Sequence, residues 1–336
     1  MPGTRSFTSR AALLGASLAL ASLAAAQALP TTMIQRPPSV PLVLHDPFFS
    51  IWSPADKLTD AETVHWTGSS HPLSGVALVD GKPYRFLGKE PSNAPSLEQK
   101  SLKVTPTQTF FGFEGAGIKL DLIFTTPALP DDLDLLSRPI TYVTVKVNST
   151  DGKSHNVVLE MAASTLLAGD GPSSGKKTAS KALGPLNLLT AENKSPRPLA
   201  ERGDWTRINW GRLLFAAPAG DLSSASFSQA KKLISAKGDA YEDASKGVLK
   251  FAEFETGGKP VARWLMIGYD DELSIQYFKQ NLQPYWRRKG ETGDSILLKA
   301  AKDREAILAR CEAFDKELMA DLTAAGGESY AYLCAL

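Results

Sequence analysis

One change of period divides this chain. Between residues 97 and 269 the chain reads almost entirely as strand, with apolar side chains at alternate positions in its clearest segments, and from residue 294 onward they recur every three to four. The first pattern is cleanest over residues 118–126, where Ile118, Leu120, Leu122 and Phe124 fall on one face. Strict alternation makes a strand with one dry and one wet face, as in an antiparallel sheet. Residues 101–113, 139–147 and 156–161 repeat it, with turns at Gly115-Ala-Gly117 and Asn148-Ser-Thr-Asp-Gly152. Strands resume over 205–217, 225–235, 247–254 and 261–269. Upstream, 48–53 reads as a short strand, and 76–86 as a hairpin turning at Asp80-Gly81, a pair suited to the positive φ of a tight primed turn. Meandering strands of this kind predict a mainly β chain built on a large antiparallel β-sandwich. Residues 167–200, rich in Gly, Ser, Lys and Pro, break the pattern and read as one long loop.

The second pattern predicts helices. Residues 272–280 read as a short helix, with the acidic run Asp270-Asp271-Glu272 at its N-terminus, and 284–290 as a basic, aromatic connector. Asp294 then suits the cap of a helix to about residue 322, whose apolar stripe includes Leu297, Ile307, Leu308, Cys311, Phe314, Leu318 and Leu322. That is about 42 Å of helix at 1.5 Å per residue. Gly326-Gly327 stops it, and 329–336 begins a second helix with Tyr330, Leu333 and Leu336 on one face.

The remainder of the composition mostly excludes. A net charge of +1, from 37 basic and 36 acidic residues, argues against nucleic acid or an anionic membrane as partner. The two cysteines, Cys311 and Cys334, stand 15 residues before and 8 after Gly326. Across a helical hairpin that offset is about 10 Å, beyond disulfide reach, so both read as buried apolar thiols. Residues 1–26 carry Arg5 and Arg10, an apolar run from 11 to 23, and Ala24-Ala-Ala26. That is the form of a secretory signal, which predicts an exported chain, secreted or periplasmic, free of the membrane after cleavage. Pro30, Pro37 and Pro38 make 27–40 an extended leader.

Motifs with chemistry are few. The histidines His45, His65, His71 and His155 show no metal-ligand spacing, and there is no nucleophile elbow or phosphate loop. No metal or cofactor is expected. Asp131-Asp132-Leu-Asp134 reads as a solvated loop or helix cap. What stands out is aromatic density. His45, Asp46 and Trp52, then His65 and Trp66 in a loop over 59–70, are candidate substrate-binding or domain-interface residues, followed by Trp205 and Trp210. Aromatics in strands are mostly core, and Trp66 among polar neighbours is the best exception.

Longer segments carry a resemblance. PLVLHDPFFSIWSPADKLTD (41–60), HWTG (65–68), HPLSGVALVDGKPYRFLG (71–88), LPDDLDLLSRPITYV (129–143), DDELSIQYFKQNLQPYWRR (270–288) and CEAFDKELMADLTAAGGESYAYLCAL (311–336) run in collinear order. They resemble the glutaminase A family of secreted fungal and bacterial proteins. The resemblance implies a two-part enzyme that hydrolyses L-glutamine to L-glutamate and ammonia. In it an N-terminal β-sandwich, supersandwich-like, precedes a helical (α/α) toroid similar to that of glucoamylase-like glycoside hydrolases. It assigns 41–270 to the sandwich, 271–290 to a linker helix and connector, and 291–336 to the first helices of a truncated toroid. The sandwich would pack against that helical domain, the glutamine would bind through it, and the fragment would be inactive alone. The resemblance places no catalytic residue on this chain. A fragment of a glucoamylase-like glycoside hydrolase, a carbohydrate-binding sandwich module and a purely structural sandwich stay open beside it.

Overall fold

A computed structural model describes residues 37–169, 175–200, 207–228, 232–234, 240–242 and 245–336. The signal and most of the leader expected at the N-terminus lie outside the described residues. In chain order the strands are β1 (Val40–Asp46), β2 (Phe49–Ser53), β3 (Leu73–Val79), β4 (Lys82–Leu87), β5 (Glu98–Val104), β6 (Gln108–Gly115), β7 (Ile118–Thr125), β8 (Ile140–Ser149), β9 (His155–Ser164) and β10 (Lys176–Leu183). They continue with β11 (Leu186–Asn193), β12 (Arg212–Pro218), β13 (Leu222–Phe227), β14 (Lys232–Ile234), β15 (Ala240–Glu242), β16 (Lys246–Phe251), β17 (Phe254–Thr256), β18 (Val261–Asp270), β19 (Ile275–Tyr277) and β20 (Gln280–Leu282). The helices are α1 (Leu133–Leu136) and α2 (Gly293–Ala335).

Two antiparallel sheets form the body, as the alternation predicts. Eight strands run in the order β10-β11-β12-β18-β8-β7-β6-β5, and six in the order β13-β16-β9-β3-β4 with β17 also on β9. Ile118, Leu120, Leu122 and Phe124 of β7 are all buried. They join Val143, Val145 and Val147 of β8 and Leu159 and Met161 of β9 in one core. Each such side chain contributes roughly 1.5–3 kcal/mol by leaving water. The β3–β4 hairpin turns where expected, with Asp80 at φ 50° and Gly81 at φ 79°.

The opposite face of the large sheet is also dry over part of its width. Tyr142, Leu188, Leu214, Ala216 and Met266 form a second core with Ile296, Leu297, Ala300, Ile307 and Cys311 of α2. Helix α2 therefore makes a third layer. Tyr142 donates its hydroxyl to the Ala300 carbonyl at 2.9 Å. Buried Asp315 accepts from Thr105 Oγ1 at 2.5 Å, Thr107 N at 3.0 Å, Thr107 Oγ1 at 2.9 Å and Gln108 Nε2 at 3.2 Å. Gly327 leaves the helical region, at φ 84° and ψ 175°. Beyond it the chain returns to the turn that Asp315 binds, since Leu336 lines a small cavity with Thr105, Thr107 and Leu42.

Four expectations are corrected. Residues 176–193 are not loop but the β10–β11 hairpin, the edge of the large sheet. Strand β10 has no dry face because edge position leaves it exposed along most of its length, and lysines there discourage further pairing. Residues 272–280 are not helical: β19 and β20 form an exposed hairpin through Phe278 and Lys279, both at positive φ. The long helix is capped by Thr292, which accepts from Ser295 N at 3.2 Å, and Asp294 instead pairs with Arg212 at 3.2 Å. Cys311 is buried as expected, but Cys334 is exposed, and both are free thiols.

Candidate functional site

The turn between β1 and β2 starts the site. Asp46 accepts from Phe48 N at 2.7 Å and Phe49 N at 3.0 Å, an Asx turn that reverses the chain in two residues. The turn exposes the Pro47 carbonyl, which accepts from the Trp66 indole N–H at 2.6 Å and from His65 Nε2 at 3.2 Å. That contact and a bridge between Trp52 and Val64 order the loop over 59–70. His71 follows the loop and donates Nδ1–H to the Ser50 carbonyl at 3.0 Å. The rings then form a chain. His45 stacks on Phe49 at 5.4 Å, Phe49 meets Tyr269 at 4.6 Å and His71 at 6.0 Å, His71 meets His65 at 5.0 Å, and His65 meets Trp66 at 5.5 Å.

Burial sets the electrostatics. It lowers the His45 and His71 imidazoles to about 3 and His65 to about 4, so all three are neutral at pH 7. His45 Nε2 meets Thr141 Oγ1 at 3.1 Å, while its Nδ1 and the Nε2 of His71 are buried without a hydrogen-bond partner. The carboxylates move the other way. Burial, with the nearby charge of Asp271, raises Asp46 to about 6. Burial and the charge of Asp270 raise Asp271, whose Oδ2 accepts the Ser274 hydroxyl and whose Oδ1 is buried and unpartnered. The charges of Asp46 and Asp271 also act on Tyr269, whose hydroxyl donates to the Trp210 carbonyl at 2.7 Å. Asp270 differs. It accepts from Arg287 Nε at 3.1 Å and from Gly293 N, the first residue of α2, at 3.2 Å. The acidic run therefore does serve a helix N-terminus, though not that of a helix over 272–280.

The structure thus gathers His45, Asp46, His65 and Trp66 and adds Phe49, His71, Tyr269 and Asp271. Trp66 alone of the four predicted members is largely exposed, at 49%. Trp210 packs edge-on against Phe48 at 5.4 Å and is buried, its indole donating to the Leu273 carbonyl at 2.9 Å, so it anchors a loop rather than paving an open pocket. Trp52 stands apart, its indole donating to Ser50 Oγ at 3.1 Å. Trp205 lies outside the described residues. Asp271 was missed because its run reads as a helix start, and Tyr269 because it reads as one more strand aromatic. Chemically, the half-buried Asp46 carboxyl, raised to about 6, suits proton transfer near neutral pH, and the buried Asp271 carboxyl beside it is raised as well. Among the described residues no cluster of His, Cys, Asp and Glu has the arrangement of a metal site.

The remaining clusters are structural. His155 bridges two turns, 2.7 Å from Asp80 and 3.1 Å from Asp151, and these partners raise its pKa. Asp132 caps α1 and also accepts from Arg310 of α2 at 2.8 Å.

Comparison with known proteins adds kinship. A family model described as "Domain of unknown function (DUF5127)" matches residues 107–321, and one described as "Domain of unknown function (DUF4964)" matches 16–97. The cluster draws His45, Asp46, His65 and His71 from one matched segment and Tyr269 and Asp271 from the other. Glutaminase A of Aspergillus oryzae is 32% identical over 149 residues, 42% of this chain and 21% of that protein. The chain thus spans about a fifth of the curated relative's length. Among solved structures, a putative kojibiose phosphorylase from human microbiome matches 78% of this chain and 28% of its own at 10% identity and a TM-score of 0.36. Heparan sulfate lyase HepC from Pedobacter heparinus matches 53% and 22% at 6% identity and a TM-score of 0.30.

Proposed function

Because the chain belongs to the DUF5127 family and is a distant homologue of Glutaminase A, we propose that it is the β-sandwich part of an exported amidohydrolase converting L-glutamine to L-glutamate and ammonia. The homology to Glutaminase A carries this reading. In it the sandwich and α2 are the scaffold against which helical polypeptide is arranged, and the 336 residues alone turn over no glutamine. The docking of α2 on the large sheet supports a scaffold role, since a helix held by both a hydrophobic layer and Asp315 is fixed in position. The neutral histidines and raised carboxylates between the two matched segments are the groups on this chain best suited to face a substrate amide. Export rests on the form of residues 1–26 and predicts a mature N-terminus at Gln27 or Leu29.

The test is ammonia release from L-glutamine by the full gene product and by the 336-residue chain, beside a panel of glycosides. Glutamine turnover by the full product alone is expected. Cleavage of glycosides without glutamine would overturn the assignment, and turnover by the 336-residue chain would overturn the scaffold role.

A further inference from the structure

A groove of about 490 Å³ opens on the outer face of the large sheet beside α2, and it shares no residue with the histidine cluster. Phe110 of β6, Ile123 of β7 and Leu308 of α2 give it apolar walls. Arg304 of α2 also lines it and is only 8% exposed. The guanidinium lies 4.8 Å from the Trp264 ring and donates Nη2–H to Thr144 Oγ1 at 2.8 Å. Its Nε–H is buried and has no hydrogen-bond partner.

The countercharge is poorly placed. Arg304 pairs with its neighbour Glu305, whose side chain is 86% exposed. A carboxylate so open to water compensates a buried cation weakly, because solvent and salt screen it. Burial lowers the Arg304 pKa, yet arginine keeps its charge, so the cost of desolvation is borne by the folded chain. Lys146 of β8 adds a second cation to the sheet side, exposed and without a carboxylate partner among the described residues. Glu305 and Glu312 occupy the helix side. The Arg304 guanidinium reaches from α2 to Thr144 of β8, so both cations lie toward the sheet.

We propose that this groove binds a small amphipathic monocarboxylate. Its carboxylate would rest on Arg304 and Lys146, and its hydrocarbon body between Phe110, Ile123 and Leu308. The volume falls within that of ordinary small-molecule sites, and apolar walls with a few placed polar groups are the usual makeup of one. A dicarboxylate is disfavoured, because its second charge would lie among Phe110, Ile123 and Leu308 and toward Glu312.

The experiment titrates the 336-residue chain with hexanoate, hexanamide and adipate by calorimetry, with Trp264 fluorescence as a second readout. Hexanoate should bind saturably at one site, and the amide and adipate at least about tenfold more weakly, the effect of one charge-assisted contact. Arg304→Gln should abolish hexanoate binding. Should that variant fail to fold, Lys146→Ala decides: the side chain is exposed, so the thermal midpoint should hold while hexanoate binds several-fold more weakly. Equal binding of acid and amide, unchanged binding in Lys146→Ala, or no saturation by about 50 mM, far beyond the range of a built site, would each overturn the proposal.

Discussion

Replacing Asp315 tests whether the helical layer is bonded to the sandwich or merely rests on it. The carboxylate is buried and accepts four hydrogen bonds, all from residues 105–108 at the turn between β5 and β6. Asp315→Ala removes the acceptor and strands its donors. One of them recovers, because Thr105 Oγ1 also reaches the Gln108 carbonyl at 3.1 Å. The Thr107 backbone N–H has no such alternative, and Thr107 itself is buried. Stranded buried donors cost about 1–3 kcal/mol each, and with one of the four recovering and the turn relaxing the total should be about 3–5 kcal/mol. At roughly 2–4 °C per kcal/mol for a domain of this size class, the melting midpoint should fall by about 6–20 °C.

Asp315→Asn keeps the shape and one acceptor oxygen and should lose less than half as much. Thr107→Val should cost about 1 kcal/mol, and its effect should vanish in the Asp315→Ala background. Asp321→Ala, an exposed site on the same helix, is the control and should move stability by less than about 0.5 kcal/mol. Urea unfolding and thermal melting, both followed by circular dichroism, measure all five variants. A loss below about 1 kcal/mol for Asp315→Ala would refute the reasoning, since it would mean that the second core holds α2 without this anchor.

Two further predictions concern protons. His45, His65 and His71 have folded pKa values well below that of an unfolded histidine, so between pH 6.5 and about 4 the unfolded chain binds protons that the folded chain refuses. Their stabilising share is complete above pH 6.5 and is lost on acidification, at about 1.4 kcal/mol per pH unit for each net proton. Asp46, with its folded value near 6, works the opposite way between pH 6 and 3.8 and reduces the slope. His71→Asn should flatten the fall in midpoint between pH 6.5 and 5 by one proton's worth, and an unchanged slope would contradict the assignment. Asp271→Asn replaces a carboxylate that is costly to ionise where it lies, so it should raise the midpoint at pH 7 and lose that advantage by pH 4, as checked by melting at both values.

Most of the sandwich was legible because its strands alternate. Ile118, Leu120, Leu122 and Phe124 fix the facing of β7 without any tertiary knowledge, and Asp80-Gly81 fixes a turn through its φ angles alone. The β10–β11 hairpin was not legible, because an edge strand with little buried face has no period to detect. The β19–β20 hairpin was misread for a related reason: Ile275 and Tyr277 are exposed, and Phe278-Lys279 adopts positive φ without glycine. Of the site, the sequence offered rare residues but not partners. His45, His65 and Trp66 stood out by type and density. Asp271 and Tyr269 lie more than 200 positions further on, and only the sheet order that sets β18 beside β8 brings them near the β1–β2 turn.

That juxtaposition bears on whether the cluster packs or acts. A purely structural polar group is expected to have its atoms bound, because an unbound buried donor or acceptor costs stability with no return. Pro47, Ser50 and Thr141 bind one side of His65, His71 and His45, as packing requires. The far nitrogens of His45 and His71, and Oδ1 of Asp271, are left without partners. Three such atoms fall within this one aromatic cluster, while others lie apart at Arg138, Arg263 and Arg304, and the Asp315 and His155 networks are bound through several contacts each. The cluster is one place on the sandwich where a further contact would satisfy buried polar atoms, and Trp66 is its exposed end.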